Sequence, residues 1–244
     1  MKIRIFETIH EASAGGADIM AREIKGRDRV VLGLPTGSTP VPLYEELIRR
    51  HRDGELDFAG VRTYNLDEYV GLDGAHAQSY RYFMDDHLFN HINIDPNNAH
   101  LPSGMSADHD AEARRYDAMI EADGGIDMQL LGIGGNGHIG FNEPDSVFHR
   151  HARVVDLTDS TIDANKRFFE RREDVPRQAV TLGVGAIMAA KKVVLLAFGE
   201  GKADAVRAMV EGDVDPRCPA SILQLHGDVT LLLDRAAASR LSDV

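Results

Sequence analysis

The apolar residues of the chain follow two different periods, and together these periods predict alternating strands and helices. Short, almost wholly apolar runs predict buried strands, which begin near Val30, Val61, Ile126, Val193 and Val229. Between them, apolar residues recur at intervals of three and four positions, which indicates helices that bury one face. This alternation is typical of an α/β fold with a doubly wound, mainly parallel sheet and helices on both faces. We predict one such domain over residues 1–244.

The segment after the apolar run Ile126–Leu131 is the richest in glycine. Five glycines fall within nine residues, from 132 to 140, which lets the backbone approach a ligand closely. Gly132-x-Gly134-x-x-Gly137 has the spacing of a dinucleotide-binding fingerprint. That fingerprint requires a helix immediately afterwards, and the residues before Pro144 have no helical period. We therefore predict a Rossmann-like sheet without a dinucleotide.

This glycine-rich loop presents His138 and Glu143 at the end of a strand. A histidine can carry protons near neutral pH, and a nearby carboxylate can orient it or tune its pKa. A metal site is the alternative, but the histidines are scattered and no His-Glu-x-x-His pattern occurs. We predict an acid/base pair and no metal.

A second loop follows the strand that ends near Leu34. It contains Thr36, Gly37, Ser38 and Thr39 and leads into a predicted helix. Free N–H groups at a helix start, together with hydroxyl donors, suit a phosphate. The simpler alternative is that Ser38 or Thr39 only caps the helix.

Four charged residues complete the candidate site. Asp67 and Glu68 follow the Val61 strand, and because side chains alternate along a strand, only one of them can face the crevice. That carboxylate can serve as a general base, or both can be solvated turn residues. Lys202, at the start of a predicted helix, is placed to pair with a phosphate, or it is an ordinary surface lysine, and Arg167 is a second basic candidate.

Composition restricts the partners. The chain carries a net charge of −12 and no segment rich in Lys or Arg, which argues against a nucleic-acid partner. The N-terminus lacks the apolar core of a signal peptide, and no run approaches about 18 apolar residues. We therefore expect a cytoplasmic protein with no membrane partner. Cys218 is the only cysteine, which excludes an internal disulfide.

Five segments of the chain resemble the glucosamine-6-phosphate deaminases, and they follow one another in the order found in that family. Two are specific motifs, namely NLDEY at 65–69 and GIGGNGHIGFNEP at 132–144. The other three are LGLPTGSTP at 32–40, RFF at 167–169 and GEGK at 199–202. The resemblance implies a doubly wound sheet and conversion of glucosamine 6-phosphate and water into fructose 6-phosphate and ammonia. This is an aldose–ketose isomerisation coupled to deamination, and it needs no metal or organic cofactor.

The resemblance also implies a role for each candidate residue. It assigns pyranose ring opening to His138, with Glu143 and Asn136 in support. It assigns removal of the C2 proton, and its return to C1, to Asp67. The phosphate of a small sugar-phosphate partner would be held by Thr36, Gly37, Ser38, Thr39, Arg167 and Lys202.

Two positions depart from the pattern of some family members. Asn136 stands where many members carry aspartate, so it can hydrogen-bond to His138 but cannot share a charge with it. Arg153 matches one residue of the basic pair through which N-acetylglucosamine 6-phosphate activates some bacterial hexamers, but Val155 replaces the lysine. We therefore expect no such activation, and the sequence leaves open whether the chain forms a homo-oligomer.

Two other functions stay open. A 6-phosphogluconolactonase-like hydrolase would share the fold and the phosphate loop but would lack the motif at 65–69. A non-catalytic sugar-phosphate sensor, like the effector domains of some bacterial transcription regulators, would keep the phosphate loop and could lose Asp67 and His138. Such regulators also need a DNA-binding segment, and a first strand at about Val30 leaves no room for one.

Overall fold

A parallel sheet of seven strands lies at the centre of the computed structural model, which describes residues 1–242. Along the chain the strands are β1 (Lys2–Phe6), β2 (Val30–Leu34), β3 (Val61–Asn65), β4 (Asp67–Tyr69), β5 (Ala99–His100), β6 (Met128–Leu131), β7 (Arg153–Asp156), β8 (Gln178–Thr181), β9 (Lys192–Ala197) and β10 (Val229–Asp234). The central sheet has the order β1-β10-β9-β6-β2-β3-β5, and all its pairings are parallel. The predicted mainly parallel sheet is confirmed.

Several helices begin where a side chain accepts from their first N–H groups, and α2 begins after a proline. Within residues 1–242 they are α1 (Ile9–Ile24), α2 (Val41–Arg52), α3 (Tyr80–His87), α4 (His109–Ala122), α5 (Asp159–Asn165), α6 (Val184–Ala189), α7 (Ala203–Glu211) and α8 (Arg235–Ala238). Thr8 and Glu11 form a capping box on α1, and Ser79 and Asp108 cap α3 and α4. The buried residues of α2 recur at the predicted intervals of three and four.

The central sheet separates two hydrophobic cores because successive side chains of a strand point to opposite faces. On one face, Val31, Leu131 and Leu195 pack with residues of α4, α6 and α7. On the other, Leu32 and Leu130 pack with residues of α1, α2 and α3. Helices cover both faces, which confirms the doubly wound prediction.

The first strand lies earlier than the sequence indicated. The expectation that it begins at about Val30 is wrong, because β1 (Lys2–Phe6) pairs with β10 at the edge of the central sheet. This strand has no fully buried residue and alternates polar with apolar side chains. No continuous apolar run therefore marked it.

A second sheet was not predicted. Its strands have the order β4-β8-β7, and both pairings are antiparallel. The strand predicted to begin near Val61 ends at Asn65, and after Leu66 the residues Asp67–Tyr69 pair with β8. One face of the small antiparallel sheet packs on a third core, which contains Tyr69, Phe141, Leu157, Ile162, Val175 and Ala179. Its other face packs on the first core through Val180 and Val154.

Four neighbouring strands of the central sheet, β9-β6-β2-β3, bring their carboxyl ends to one edge. The segments that follow them are the ones that the sequence analysis singled out: 198–202, 132–144, 35–40 and 66–69. Ligands of open parallel sheets bind at such an edge. In the part of the chain that the structure describes, no helix is both long enough and apolar enough to cross a membrane.

Candidate active site

The loop after β6 holds Asn136, His138 and Glu143 in one hydrogen-bonded group. Oδ1 of Asn136 lies 2.7 Å from Nδ1 of His138, and Nδ2 of Asn136 donates to Oε2 of Glu143 at 2.7 Å. Nδ1 of His138 is also 3.4 Å from Oε2 of Glu143. No helix forms in the described residues between β6 and β7, so the helix of a dinucleotide fingerprint is missing, as predicted.

The partners of Asn136 fix the direction of these hydrogen bonds. A carboxylate only accepts, so the amide nitrogen of Asn136 faces Glu143 and its oxygen faces His138. That oxygen accepts the proton on Nδ1. Nε2 is therefore the ring nitrogen that can exchange a proton with a ligand, and the side chain of His138 is 28% exposed.

Glu143 is a fixed negative charge. Burial opposes its ionisation, but the hydrogen bond and charge of His138, followed by hydrogen bonds from Thr161 and Asn136, outweigh burial and lower the pKa of Glu143 to about 2. The carboxylate is therefore ionised near neutral pH. It can orient His138 and stabilise its protonated form, but it cannot itself supply a proton.

Two glycines allow this loop to lie against its own functional groups. A Cβ at Gly134 would lie 2.2 Å from Cε1 of His138, so a side chain there would displace the imidazole. Gly140 has a φ of 57°, and a Cβ there would lie 3.4 Å from Oδ2 of Asp67. Gly140 is thus the point at which the His138 loop meets Asp67.

Asp67 is a buried carboxyl at the start of β4. No residue within 1–242 donates a hydrogen bond to the side chain of Asp67. Burial, and then the charge of Glu68, raise the pKa of Asp67 to about 8. A carboxyl with this pKa can both take up and return a proton near neutral pH.

Glu68 is also buried but contacts a different part of the fold. Its carboxylate accepts hydrogen bonds from the backbone N–H groups of Tyr69 (2.8 Å), Tyr80 (2.9 Å) and Arg81 (2.9 Å). The last two lie in the first turn of α3. Glu68 therefore joins α3 to the strand that carries Asp67, while Asp67 faces Gly140.

The loop after β2 leaves its hydroxyls available. Helix α2 begins after Pro40, and no side chain among the described residues caps it, so the alternative of a simple cap by Ser38 or Thr39 is wrong. Nor do the hydroxyls of Thr36, Ser38 and Thr39 hydrogen-bond to any residue in 1–242. Gly37 has a φ of 91°, a conformation that favours glycine. Unpaired hydroxyls at a helix start suit an anion.

Lys202 and Arg167, which the sequence analysis singled out separately, lie within electrostatic range of each other. Burial, and then the positive charge of Arg167, lower the pKa of Lys202. Lys202 ends the 3₁₀-helix Glu200–Lys202, which leads into α7. A Cβ at Gly135 would lie 3.5 Å from the carbonyl oxygen of Gly201, so this turn adjoins the His138 loop. Two cations in one place favour an anionic ligand.

Thr161 makes a contact that the sequence analysis missed. It lies in α5, is 7% exposed, and donates from its hydroxyl to Oε1 of Glu143 at 2.5 Å. The available signal was a Thr-x-x-Thr pattern at 158–161, which indicates a helix start. That pattern carries no information about Glu143, 18 residues earlier.

Arg153 also contacts the site loop. Its Nη1 donates to Oδ1 of Asn142 at 2.8 Å, and Nδ2 of Asn142 donates to the carbonyl oxygens of Ile139 and Leu182. The guanidinium therefore supports the loop from β7. The expectation that N-acetylglucosamine 6-phosphate does not activate the chain stays a prediction. Among the described residues, no three or more His, Cys, Asp or Glu side chains form a group that could hold a metal ion.

Comparison with known proteins identifies the family of the chain. A family model described as glucosamine-6-phosphate isomerases/6-phosphogluconolactonase matches residues 6–232. The chain belongs to this family. It is 52% identical to a glucosamine-6-phosphate deaminase of Clostridium perfringens, over 99% of this chain and all of that protein. A deaminase of Cellvibrio japonicus is 53% identical, over all of this chain and 93% of that protein. The resemblance inferred from the motifs is confirmed.

Solved structures of the family share the fold. A monomeric glucosamine-6-phosphate deaminase superposes with a TM-score of 0.96 at 44% identity, covering 98% of this chain and all of that one. A 6-phosphogluconolactonase from Leishmania guyanensis superposes with a TM-score of 0.74 at 24% identity, covering 99% of this chain and 98% of that one. The second likeness concerns the fold alone.

Proposed function

We propose that this chain is a glucosamine-6-phosphate deaminase, which converts glucosamine 6-phosphate and water into fructose 6-phosphate and ammonia. The observation that supports it best is that the loop carrying His138 contacts Asp67 through Gly140, so two different proton carriers lie in adjoining segments. Asp67 is a buried carboxyl whose pKa is raised to about 8, and His138 is an imidazole held by Asn136 and Glu143. The names of the relatives that share about half of its residues agree with this activity.

The substrate phosphate would bind between the loop after β2 and the pair Lys202 and Arg167. The hydroxyls of Thr36, Ser38 and Thr39 and the N–H groups of the Gly37 turn would donate to its oxygens. The two cations would neutralise its charge and, in doing so, relieve their own repulsion. This location gives an anionic substrate a binding site in a chain whose net charge is −12.

His138 would open the pyranose ring. Ring opening breaks the bond between C1 and the ring oxygen, with one proton leaving the C1 hydroxyl and one reaching the ring oxygen. Nε2 can mediate both transfers, because Nδ1 is occupied by Asn136. Glu143 would stabilise the imidazolium that forms between them.

Asp67 would then move a proton from C2 to C1 of the open-chain sugar. Removal of the C2 proton, while the C1 carbonyl oxygen gains a proton, gives an enolamine intermediate. Protonation at C1, with loss of one proton from the nitrogen, then leaves an imine at C2 and a hydroxyl at C1. Addition of water to that imine, followed by loss of ammonia, gives the ketone of fructose 6-phosphate. A carboxyl with a pKa of about 8 suits a group that must give back the proton it has taken.

The direct test is to assay fructose 6-phosphate and ammonia from glucosamine 6-phosphate in the presence of EDTA. We expect equal amounts of both products, because no step above uses a metal. Asp67→Asn should lower turnover by about a hundredfold or more, since general acid/base groups contribute roughly 10²–10⁴. Asp53→Asn, on the exposed end of α2, is the matched control and should stay within about twofold.

The outcomes separate the proposed function from its alternatives. Absence of both products at every substrate concentration would refute the deaminase. Hydrolysis of 6-phosphogluconolactone instead would identify a lactonase, and binding of glucosamine 6-phosphate without turnover would identify a sensor. Near-normal activity of Asp67→Asn would remove Asp67 as the base.

We further propose that the protein is a monomer that acts in the cytoplasm, where its sugar-phosphate substrate would be held. The monomeric deaminase that superposes over nearly the whole chain supports the first point. Light scattering should then give a mass near 26.8 kDa. A stable multiple of that mass at micromolar concentration would contradict it.

A further inference from the structure

The segment from Thr158 to Phe169, here called the bridging segment, contacts three parts of the candidate active site. It comprises α5 and the 3₁₀-helix Lys166–Phe168. Its Thr161 donates to Glu143, and its Phe169 packs edge to face on Tyr69, with ring centroids 6.0 Å apart. Its Arg167 lies close enough to Lys202 to lower the pKa of that lysine. One short segment therefore reaches the ring-opening loop, the strand of Asp67 and the phosphate-binding cations.

The hydroxyl of Thr161 has a defined direction. Its oxygen accepts a hydrogen bond from the hydroxyl of Thr158 at 3.1 Å, so its own proton is directed to Oε1 of Glu143, 2.5 Å away. The backbone N–H of Thr161 is held separately by Thr158 Oγ1 at 3.2 Å. A change in the Thr161 side chain can therefore remove the bond to Glu143 without removing the cap of α5.

The two oxygens of Glu143 are held by different elements. Oε2 receives Asn136 Nδ2 and lies near His138 Nδ1, both within the loop after β6. Oε1 receives only the hydroxyl of Thr161 among the described residues. Without that hydroxyl, the carboxylate could rotate about its last side-chain bond. Thr161 thus sets the plane in which Glu143 meets Asn136 and His138.

We propose that Thr161 is a positioning residue for Glu143 and that the bridging segment, which also carries Arg167, links phosphate binding to the orientation of the ring-opening group. This inference rests on the proposed function for its kinetic meaning. Phosphate held at Arg167 would fix the bridging segment, and the fixed segment would keep Glu143 aligned with His138.

The first experiment compares Thr161→Val with Thr161→Ser. Valine keeps the shape and removes the hydroxyl, and we expect kcat to fall by about tenfold while KM changes by less than about threefold. Serine keeps the hydroxyl and should restore kcat to within about twofold of the original enzyme. Thr63→Val is the matched control, because Thr63 is also buried but its hydroxyl has no partner among the described residues.

Two results would overturn the positioning role. One is wild-type kcat in Thr161→Val, and the other is a loss in Thr161→Ser as large as that in Thr161→Val. Crystal structures of both variants give a readout that does not depend on turnover. The 2.7 Å contact between Asn136 Nδ2 and Glu143 Oε2 should lengthen in the valine variant and persist in the serine variant. This readout decides the role of Thr161 even if the proposed deaminase activity fails.

The second experiment tests the link with a double-mutant cycle of Thr161→Val and Arg167→Gln. If the bridging segment couples the two sites, the combined loss in kcat/KM should be smaller than the product of the single losses, by about threefold or more. Multiplicative losses would refute the link and leave Thr161 as a local support of Glu143 only.

Discussion

Asn136 makes two hydrogen bonds of opposite direction, which requires the donor and the acceptor of a neutral amide. Its nitrogen donates to the ionised Glu143 while its oxygen accepts the Nδ1 proton of His138. An aspartate at this position would still accept from His138, but it would place a second carboxylate against Glu143. An aspartate in place of Asn136 would therefore replace a hydrogen bond with a repulsive contact.

The consequence of Asn136 can be measured by two substitutions. Asn136→Asp keeps the acceptor for Nδ1, so we expect kcat to fall by no more than about tenfold. Asn136→Leu removes both hydrogen bonds and should lower kcat by about a hundredfold or more, with a smaller effect on KM. Steady-state kinetics at neutral pH checks both. Equal losses of kcat in the two variants would show that the hydrogen bond from Nδ1 of His138 to residue 136 does not contribute to turnover.

Asp67 should destabilise the folded protein at high pH. Its folded-state pKa of about 8 lies above its ordinary value of 3.8, so the folded protein keeps a proton that the unfolded chain loses. Its contribution to the free energy of unfolding is therefore complete below pH ~4 and declines as pH rises through about 8. Asp67→Asn removes this decline.

We expect Asp67→Asn, although inactive, to raise Tm by several degrees at pH 9 and to have little effect at pH 4, since about 1 kcal/mol shifts Tm by roughly 2–4 °C in a domain of this size. Thermal unfolding across that pH range is the measurement. Asp53→Asn should show no comparable pH-dependent gain. A difference between Asp67→Asn and the original protein that is independent of pH would contradict the raised pKa.

At the scale of residues, the motifs predicted which side chains lie in the site, but not the burial and hydrogen bonds that position them. The spacing in the glycine-rich loop indicated a histidine with a supporting carboxylate, and the structure places them in contact. Burial of Asp67 and the hydroxyl of Thr161 depend on pairing between distant segments. Neither leaves a local pattern in the sequence.

The short strand β4 contacts two other parts of the fold through its adjacent carboxyl side chains. Asp67 faces the His138 loop and Glu68 faces α3. Glu68 accepts from the first N–H groups of α3 and thereby fixes that helix to the sheet. Burial raises the pKa of Glu68 although three backbone N–H groups oppose this change. Glu68 should therefore affect stability through α3 and catalysis through its field on Asp67.

Substitutions at Glu68 separate these effects. Glu68→Ala leaves buried N–H groups without an acceptor and should lower the free energy of unfolding by about 1–3 kcal/mol. Glu68→Gln keeps one acceptor oxygen and should cost less. Both remove a charge that contributes to the raised pKa of Asp67, so the acid limb of kcat/KM should move to lower pH. An unmoved limb in both variants would disprove this influence on Asp67.

The elements that the sequence missed are those with the weakest local signal. Central strands of a parallel sheet are buried on both faces and appear as apolar runs, so β2, β3, β6, β9 and β10 could be predicted. An edge strand such as β1 needs only one buried face. The three residues of β4 are defined by antiparallel pairing with β8, more than 100 residues later in the chain.

The whole molecule divides the candidate chemistry between two sheets. The central sheet supplies the His138 loop, the loop after β2 and Lys202, all from carboxyl ends of neighbouring strands. The small antiparallel sheet supplies Asp67, and the bridging segment packs on its core through Ile162 and Phe169. The rule that ligands bind at strand ends of parallel sheets predicted the first group and also Asp67, which lies just beyond the end of β3. It did not predict the antiparallel pairing of β4 or the contact of the bridging segment.

Because the core on one face of the small antiparallel sheet has few members, we expect inactivation to precede complete unfolding. A core with few members opens at a lower free energy than the two cores of the central sheet, and such opening would carry Asp67 away from His138. In urea, turnover should vanish before the far-ultraviolet circular dichroism changes. Amide hydrogens of β4 and β7 should exchange faster than those of β6 and β9, whereas uniform exchange would show that both sheets open as one unit. Thermal inactivation of this protein would then begin as a reversible separation of its two acid/base groups.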